Sequence, residues 1–198
     1  MKIKLKWILC LLNIPRACIV YMLSWGIEKV CMDYDRWSAM WNRNLPKTKS
    51  AFMRFNYLLL FYREFRSVIQ ARLKEKSYIR YAAARILYKP VVNLEILSSK
   101  IEGGLFVEHG FSSIICPKHI GKNCWINQQV TVGHTSIDDC PTIGDNVRIC
   151  TGAIVIGNVH VGDNATIGAG AVVVKDVPAN AVVVGVPAKV IKYKEKKE

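Results

Sequence analysis

No C-x-x-C pair occurs among the seven cysteines, Cys10, Cys18, Cys31, Cys116, Cys124, Cys140 and Cys150. An odd count without zinc-type spacing argues against a disulfide framework or a metal cluster and fits reduced thiols in a cytoplasmic protein, so no metal is expected. With 13 glycines and 7 prolines in 198 residues the chain is not collagen-like, and at 51% hydrophobic it is too apolar for a disordered tail. The length leaves room for one core of ordinary size plus an appendage.

Acidic residues are scarce in one half only. Residues 1–100 carry 6 of them against 19 lysines and arginines, whereas residues 101–198 carry 9 of each, so the whole net charge of +13 belongs to the first half. Such an excess raises nucleic acid or an anionic membrane as a partner. No recognised nucleic-acid module accompanies it, and a solvated or lipid-attracted face is the better reading; no nucleic acid is expected.

Residues 7–25, WILCLLNIPRACIVYMLSW, are apolar but hold Asn13, Pro15 and Arg16 at mid-span, which argues against a clean transmembrane helix. The stretch has no A-x-A-like cleavage site, so it does not read as a signal peptide. Lys2, Lys4 and Lys6 before it and the tryptophans bounding it fit a hairpin or helix lying in a membrane interface. A hydrophobic helix buried in an oligomer contact fits equally well. Asp33 reads as a helix cap ahead of Trp37 and Trp41, and Pro46 to Ser50 as a polar break. Phe55, Leu58, Leu59, Tyr62, Phe65, Ile69 and Leu73 then recur at steps of three or four, predicting one further helix with a packing stripe.

The second half repeats every six residues. Ile120, Ile126 and Val132, then Ile143, Ile149, Val155, Val161, Ile167 and Val173, mark the register, with Ile101 and Val107 before them and one extra residue ahead of Ile114. Four places after these anchors stand Cys124, Val130, Val147, Ala153, Val159, Ala165, Ala171 and Val177. Neither a helix nor a hairpin meander has this period; a parallel β-helix does, with three hexads closing one triangular coil. Gly121, Gly133, Gly144, Gly162 and Gly168, with Asn127, follow their anchors directly, where a corner would want a residue tolerant of positive φ. Between Val132 and Ile143 five extra residues must bulge out as a loop over residues 134–142, and insertions in solenoids tend to carry function. The reading is a helical region over residues 1–98, a β-helix over 99–191 and a charged tail over 192–198.

The stretches Val107-Glu108-His109-Gly110, Gln129-Val130-Thr131-Val132-Gly133, Pro141-Thr142-Ile143-Gly144, Ile167-Gly168-Ala169-Gly170-Ala171 and Gly185-Val186-Pro187-Ala188-Lys189 resemble the hexapeptide-repeat acyltransferases. Within them the similarity is to serine acetyltransferases and their relatives that O-acetylate surface polysaccharides. It spans about Lys100 to Ile191 and implies a left-handed β-helix, a homotrimer that can pair into a dimer of trimers, and active sites between subunits with acetyl-CoA as co-substrate. His109 matches the catalytic histidine. An alcohol is a poor nucleophile near neutral pH, and a positioned imidazole can take its proton, worth on the order of 10² to 10⁴ in rate.

By the same resemblance Glu108 faces the acceptor, and Thr135, Thr151, Ala169 and Lys189 the cofactor, with Lys175 a further phosphate contact. His134, where the family usually has a small residue, is a second substrate-binding candidate that either lines the thioester channel or points to water. His119 and His160, each just before an anchor, read as surface corner residues. Cys140 stands where serine acetyltransferases carry a second histidine, and Leu94, with Glu95 beside it, where an acid orients the base. The expected activity is O-acetylation of serine in the cytoplasm. The alternatives are a sugar hydroxyl of a surface polysaccharide, met at the inner face of the membrane, and a catalytically silent trimeric scaffold.

Overall fold

The computed structural model describes residues 3–41, 50–97, 100–136 and 139–195; most of the polar break at Pro46–Ser50 lies outside them. The chain divides into two compact units, one up to Val91 and one from Val92.

Among the described residues the first unit has five helices: α1 Ile3–Leu23, α2 Glu28–Met40, α3 Ala51–Phe61, α4 Arg63–Lys76 and α5 Tyr78–Leu87. The stretch read as a hairpin or helix is one helix that runs through Pro15. It packs on α3 and α5 through a polar seam. The Asn13 amide donates to Asn56 Oδ1 (2.8 Å) and to the Tyr88 hydroxyl, and the Asn56 amide donates to the Cys10 carbonyl (2.8 Å). Mid-helix Asn13 therefore faces inward with its amide nitrogen bonded, as burial favours, while its Oδ1 is buried with no partner among the described residues.

Asp33 is not a cap. Helix α2 begins after Ile27, and Asp33 lies fully buried inside it, where it accepts from Arg72 Nε (2.8 Å) and Nη2 (3.3 Å) of α4. The stripe from Phe55 to Leu73 is buried apart from half-buried Tyr62, but it spans two helices. Tyr62 is extended (φ −117°, ψ 102°), and the Arg66 guanidinium reaches back to the Leu59 and Leu60 carbonyls that α3 leaves open at its end.

The second unit is a parallel solenoid of three faces. The first holds β1 Leu94–Ile96, β3 Ser113–Ile115, β6 Thr131–Gly133, β9 Ile154–Ile156 and β12 Val172–Val173; the second holds β4 His119–Ile120, β7 Thr142–Ile143 and β10 His160–Val161. The third holds β2 Phe106–Val107, β5 Trp125–Ile126, β8 Arg148–Ile149, β11 Thr166–Ile167 and β13 Ala181–Val184, with β14 Lys189–Tyr193 antiparallel on β13. All nine anchors from Ile120 to Val173 are at most 1% exposed, so they fill the prism.

Four details depart from the expectations. The solenoid starts at β1, before residue 99, because Leu94–Ile96 pairs with Ser113–Ile115. Ile115, not Ile114, points inward (0% against 45% exposed), so the corner after Val107 is two residues longer than a hexad. Lys192 and Tyr193 belong to β14 and not to a tail. The glycines that follow the anchors do not have positive φ. At Gly121, Gly144, Gly162 and Gly168 the role is close approach: a Cβ on Gly121 would lie 2.2 Å from Asp145 Oδ1 of the next coil, and one on Gly144 would lie 2.2 Å from Asp163 Oδ1, whereas Gly133 is uncrowded, with Thr131 Cγ2 at 3.9 Å. Positive φ falls two places later, at Asn123, Gln129, Asn146, Gly152, Asn164 and Gly170.

Candidate active site

The three edges of the prism differ in what they present. Between the second and third faces runs a ladder of asparagines, Asn123, Asn146, Asn164 and Asn180, all at positive φ. Aspartates fill the space beside it: Lys122 N–H donates to Asp145 Oδ1 (2.6 Å) and Asp145 N–H to Asp163 Oδ1 (2.8 Å). The edge between the first and second faces carries the insertion, of which residues 134–136 and 139–141 are described, Thr142 already opening β7. The edge between the third and first faces carries His109.

That edge is built from two rows. Two places after the anchors stand His109, Gln128, Thr151 and Ala169; three places after stand Gly110, Gln129, Gly152 and Gly170. Backbone bonds stack the coils, with Gln129 N–H to Phe111 O (3.0 Å), Gly152 N–H to Gln128 O (3.1 Å) and Gly170 N–H to Thr151 O (2.9 Å). A Cβ on Gly170 would meet nothing within 4 Å, and one on Gly152 only the backbone of Gly170 at 3.9 Å or more. Beyond His109 and the glutamine pair of the next coil, the edge thus narrows to a shelf of small residues, Thr151 and Gly152 and then Ala169 and Gly170. It ends at the turn Gly185–Ala188, where Ala188 N–H donates to Val172 O (2.8 Å) and the Val186–Pro187 bond is cis. Four coil spacings separate the two ends, about 19 Å.

The two-residue extension of the first corner aims His109. His109 (φ 63°), Gly110 (φ 49°) and Ser112 (φ 52°) are all left-handed, and Phe111 N–H closes the turn on His109 O (2.6 Å). A left-handed backbone at a non-glycine costs of order 1–3 kcal/mol and persists where the surroundings fix it. The imidazole is exposed, outside the prism, and has no side-chain hydrogen-bond partner among the described residues. Glu108 is half-buried and accepts from the Asn127 amide at 3.0 Å.

The remaining site residues are elsewhere. His134 and Thr135 are exposed on the first–second edge. Face one separates them from His109, about 15–20 Å for a side of five or six residues. Thr135 is not laid along the coils, because its hydroxyl and N–H both donate to Asp139, as does Ser136 N–H (2.9 Å). These donors, the Thr135 hydroxyl foremost, hold the Asp139 carboxyl down at about 2. Lys175 is exposed beside the same first–second edge, whereas Lys189 opens β14 directly after the turn that ends the shelf. His119 and His160 lie on the second face and not at corners. Glu95 is exposed on β1 opposite Ile114, with no bond to His109. Among the described residues no group of side chains could hold a metal.

Sequence reasoning missed Asn127, Gln128 and Asp139. Asn127 stands where most hexads have glycine, and a 92% buried amide there needs a partner, which is Glu108. Gln128 Oε1 is buried without a partner among the described residues, one coil above His109.

Residues 140–175 match the family described as bacterial transferase hexapeptide (six repeats). The solenoid carries that repeat. A serine acetyltransferase of Staphylococcus aureus (strain Mu50) is 38% identical over 125 residues, covering 60% of this chain and 58% of its own. One of Staphylococcus epidermidis is 38% identical over 123 residues, 57% of each chain. The chain thus spans somewhat over half the length of these curated relatives. Among solved structures, a serine acetyltransferase of Brucella abortus superposes with a TM-score of 0.65 at 25% identity, covering 91% of this chain and 74% of that one. The same enzyme solved with coenzyme A gives 0.61 at 26%, covering 87% and 69%. The architecture, helices followed by a left-handed parallel β-helix, is theirs, and the resemblance stated on the sequence motifs is borne out.

Proposed function

We propose that the protein is an acetyl-CoA-dependent O-acetyltransferase of serine acetyltransferase type. The observation that carries this is the exposed His109 on the edge that narrows to Thr151, Gly152, Ala169 and Gly170. Coenzyme A would lie along Thr151 and Ala169, its phosphates toward Lys189 and its thioester beside His109. The His109 imidazole removes the proton of the acceptor hydroxyl as its oxygen bonds to the thioester carbonyl carbon. The tetrahedral intermediate then expels the CoA thiolate, which takes the proton back from the imidazolium. Glu108, fixed by Asn127, faces the acceptor.

His134 and the loop are on another edge of the same chain, so they serve a neighbouring copy. This supports a homotrimer, with a dimer of trimers as its extension, and half-exposed Ile114 with Ile154 and Val172 on the first face supply apolar surface for the contact. The proposed location is the cytoplasm, supported by acetyl-CoA as the proposed co-substrate, with the basic helical unit suited to the inner face of a membrane.

A sugar hydroxyl is the second reading of the acceptor. It is favoured by Cys140, which cannot pair with a carboxylate as an imidazole does, and by the ionised Asp139 next to it, which would repel one. A screen of serine and sugar acceptors, read by thiol release, tests both. Serine-dependent release supports the first reading and sugar-dependent release the second. Release from neither, with His109→Ala behaving like the parent, contradicts the proposal.

A further inference from the structure

Helix α1 is apolar on its outward side as well as its inward one. Its inward side carries Asn13 beside Cys10, Ala17 and Val20, all buried, with buried Ser24 just beyond its end. Its outward side carries Leu5, Ile8, Leu11, Leu12, Ile19 and Met22, between 40% and 73% exposed, and Trp25 at 75% just beyond its end. Leu5, Ile8, Leu12, Pro15, Ile19 and Met22 alternate steps of three and four, which draws one stripe along a helix of 21 residues, about 31 Å. Among the described side chains no charged one interrupts that stripe, and Arg16, at its margin, stacks over the Tyr88 ring at 4.6 Å.

We propose that this face of α1 lies in the interface of an anionic lipid bilayer. Two occupants fit an apolar stripe, a membrane and a second copy of the chain, and charge decides between them. Residues 1–100 hold the entire excess of +13. Two such units would repel at short range, whereas an acidic lipid surface attracts each of them. Trp25 at the C-terminal end suits the headgroup level.

The helix lies flat and does not cross. Residues Leu5–Leu23 are long and apolar enough to span, with a mean hydropathy of 1.4. Crossing would pull Asn13 off Asn56 and Tyr88 and strip Cys10, Ala17 and Val20 from the floor of the helical core. Lying flat leaves those bonds intact and buries only the side that is already bare.

The test is co-sedimentation of the full chain with vesicles of phosphatidylcholine, with and without phosphatidylglycerol, alongside quenching of tryptophan fluorescence by bromine-labelled lipid tails. The inference expects binding to the phosphatidylglycerol vesicles that weakens with salt. Leu12→Glu combined with Ile19→Glu should lower that binding about tenfold or more, and Trp25→Phe should remove most of the quenching. Both leucine and isoleucine point outward, so unfolding is not expected, and thiol release by the variant in free solution separates this question from that of the enzyme. Equal sedimentation of parent and variant overturns the inference. So does a parent that ignores all vesicles while the variant turns a larger oligomer into a smaller one, because the face is then covered by a second copy.

Discussion

The helical unit and the solenoid bury their interiors by opposite means. In the helical unit each contact is made once, between unlike partners far apart in the chain: Asp33 with Arg72, Asn13 with Asn56, Trp37 against Phe65 at 5.4 Å between rings. In the solenoid one contact is made over and over, an isoleucine or valine anchor on the anchor of the next coil. The first arrangement concentrates stability in a few irreplaceable pairs. The second spreads it over neighbours and leaves the edges free to differ, and here they differ as an asparagine ladder, a loop and a glycine shelf.

The contrast is broken most severely at Asp33. Asp33→Ala removes the carboxylate that takes two hydrogen bonds from the buried Arg72 guanidinium, and should destabilise the helical unit by about 3–5 kcal/mol; chemical denaturation followed by helical circular dichroism reads this. A loss below 1 kcal/mol would mean that the pair is replaceable and the contrast overstated. In the solenoid, Ile143→Ala opens a cavity worth about 2–5 kcal/mol. Repetition should confine the damage to the adjoining coils, so hydrogen exchange should rise at Ile120 and Val161, the strand neighbours of Ile143, before it rises at Val183. Exchange rising everywhere at once would contradict the nearest-neighbour picture.

A milder probe is Gly144→Ala, which drives a Cβ against Asp163 Oδ1 and, at 2.9 Å, its backbone nitrogen. Overpacking of this kind costs about 1–3 kcal/mol. Gly170→Ala meets no atom within 4 Å but must hold φ 66°, so it should cost less than the Gly144 change. Equal melting temperatures for the two would deny the close-approach account. The smallest effect concerns the loop. The Asp139 carboxyl is held at about 2 against an ordinary 3.8, so loop closure favours its ionised form; that contribution is complete above pH 3.8 and is lost as pH falls toward about 2. Titration of the carboxyl by nuclear magnetic resonance should show the low midpoint, and a midpoint near 3.8 would show that Thr135 does not hold it.

The two regions were also unequally legible. Nine anchors at one period admit a single architecture, so the β-helix, the inserted loop and the outward His109 could be read before any coordinates. Details of the coil could not. The glycines after the anchors look like turn residues in one dimension, and only the stacking of Asp145 and Asp163 beneath them shows that they make room. Ile114 and Ile115 are equally apolar, and the strand pairing of Ile115 with Val132 decides which one enters the prism. In the helices, spacing at three and four passes through Tyr62 without a mark, although the backbone breaks there. Asp33 is a good cap by type, and nothing local reveals an arginine 39 residues away. The candidate site divided along the same line. His109, Thr151 and Ala169 share a repeat register and fell on one edge, whereas Thr135, carried over by alignment into an irregular loop, is engaged with Asp139.

The central claim is that the third–first edge is where coenzyme A binds, and calorimetric titration of coenzyme A into the Ala169→Trp variant tests it most directly. Ala169 is exposed, so the indole does not disturb the prism, but it blocks the shelf. Affinity should fall at least about tenfold, the equivalent of about 1.4 kcal/mol, with the melting temperature unchanged. Unaltered affinity would place the cofactor on another edge and remove His109 from the chemistry.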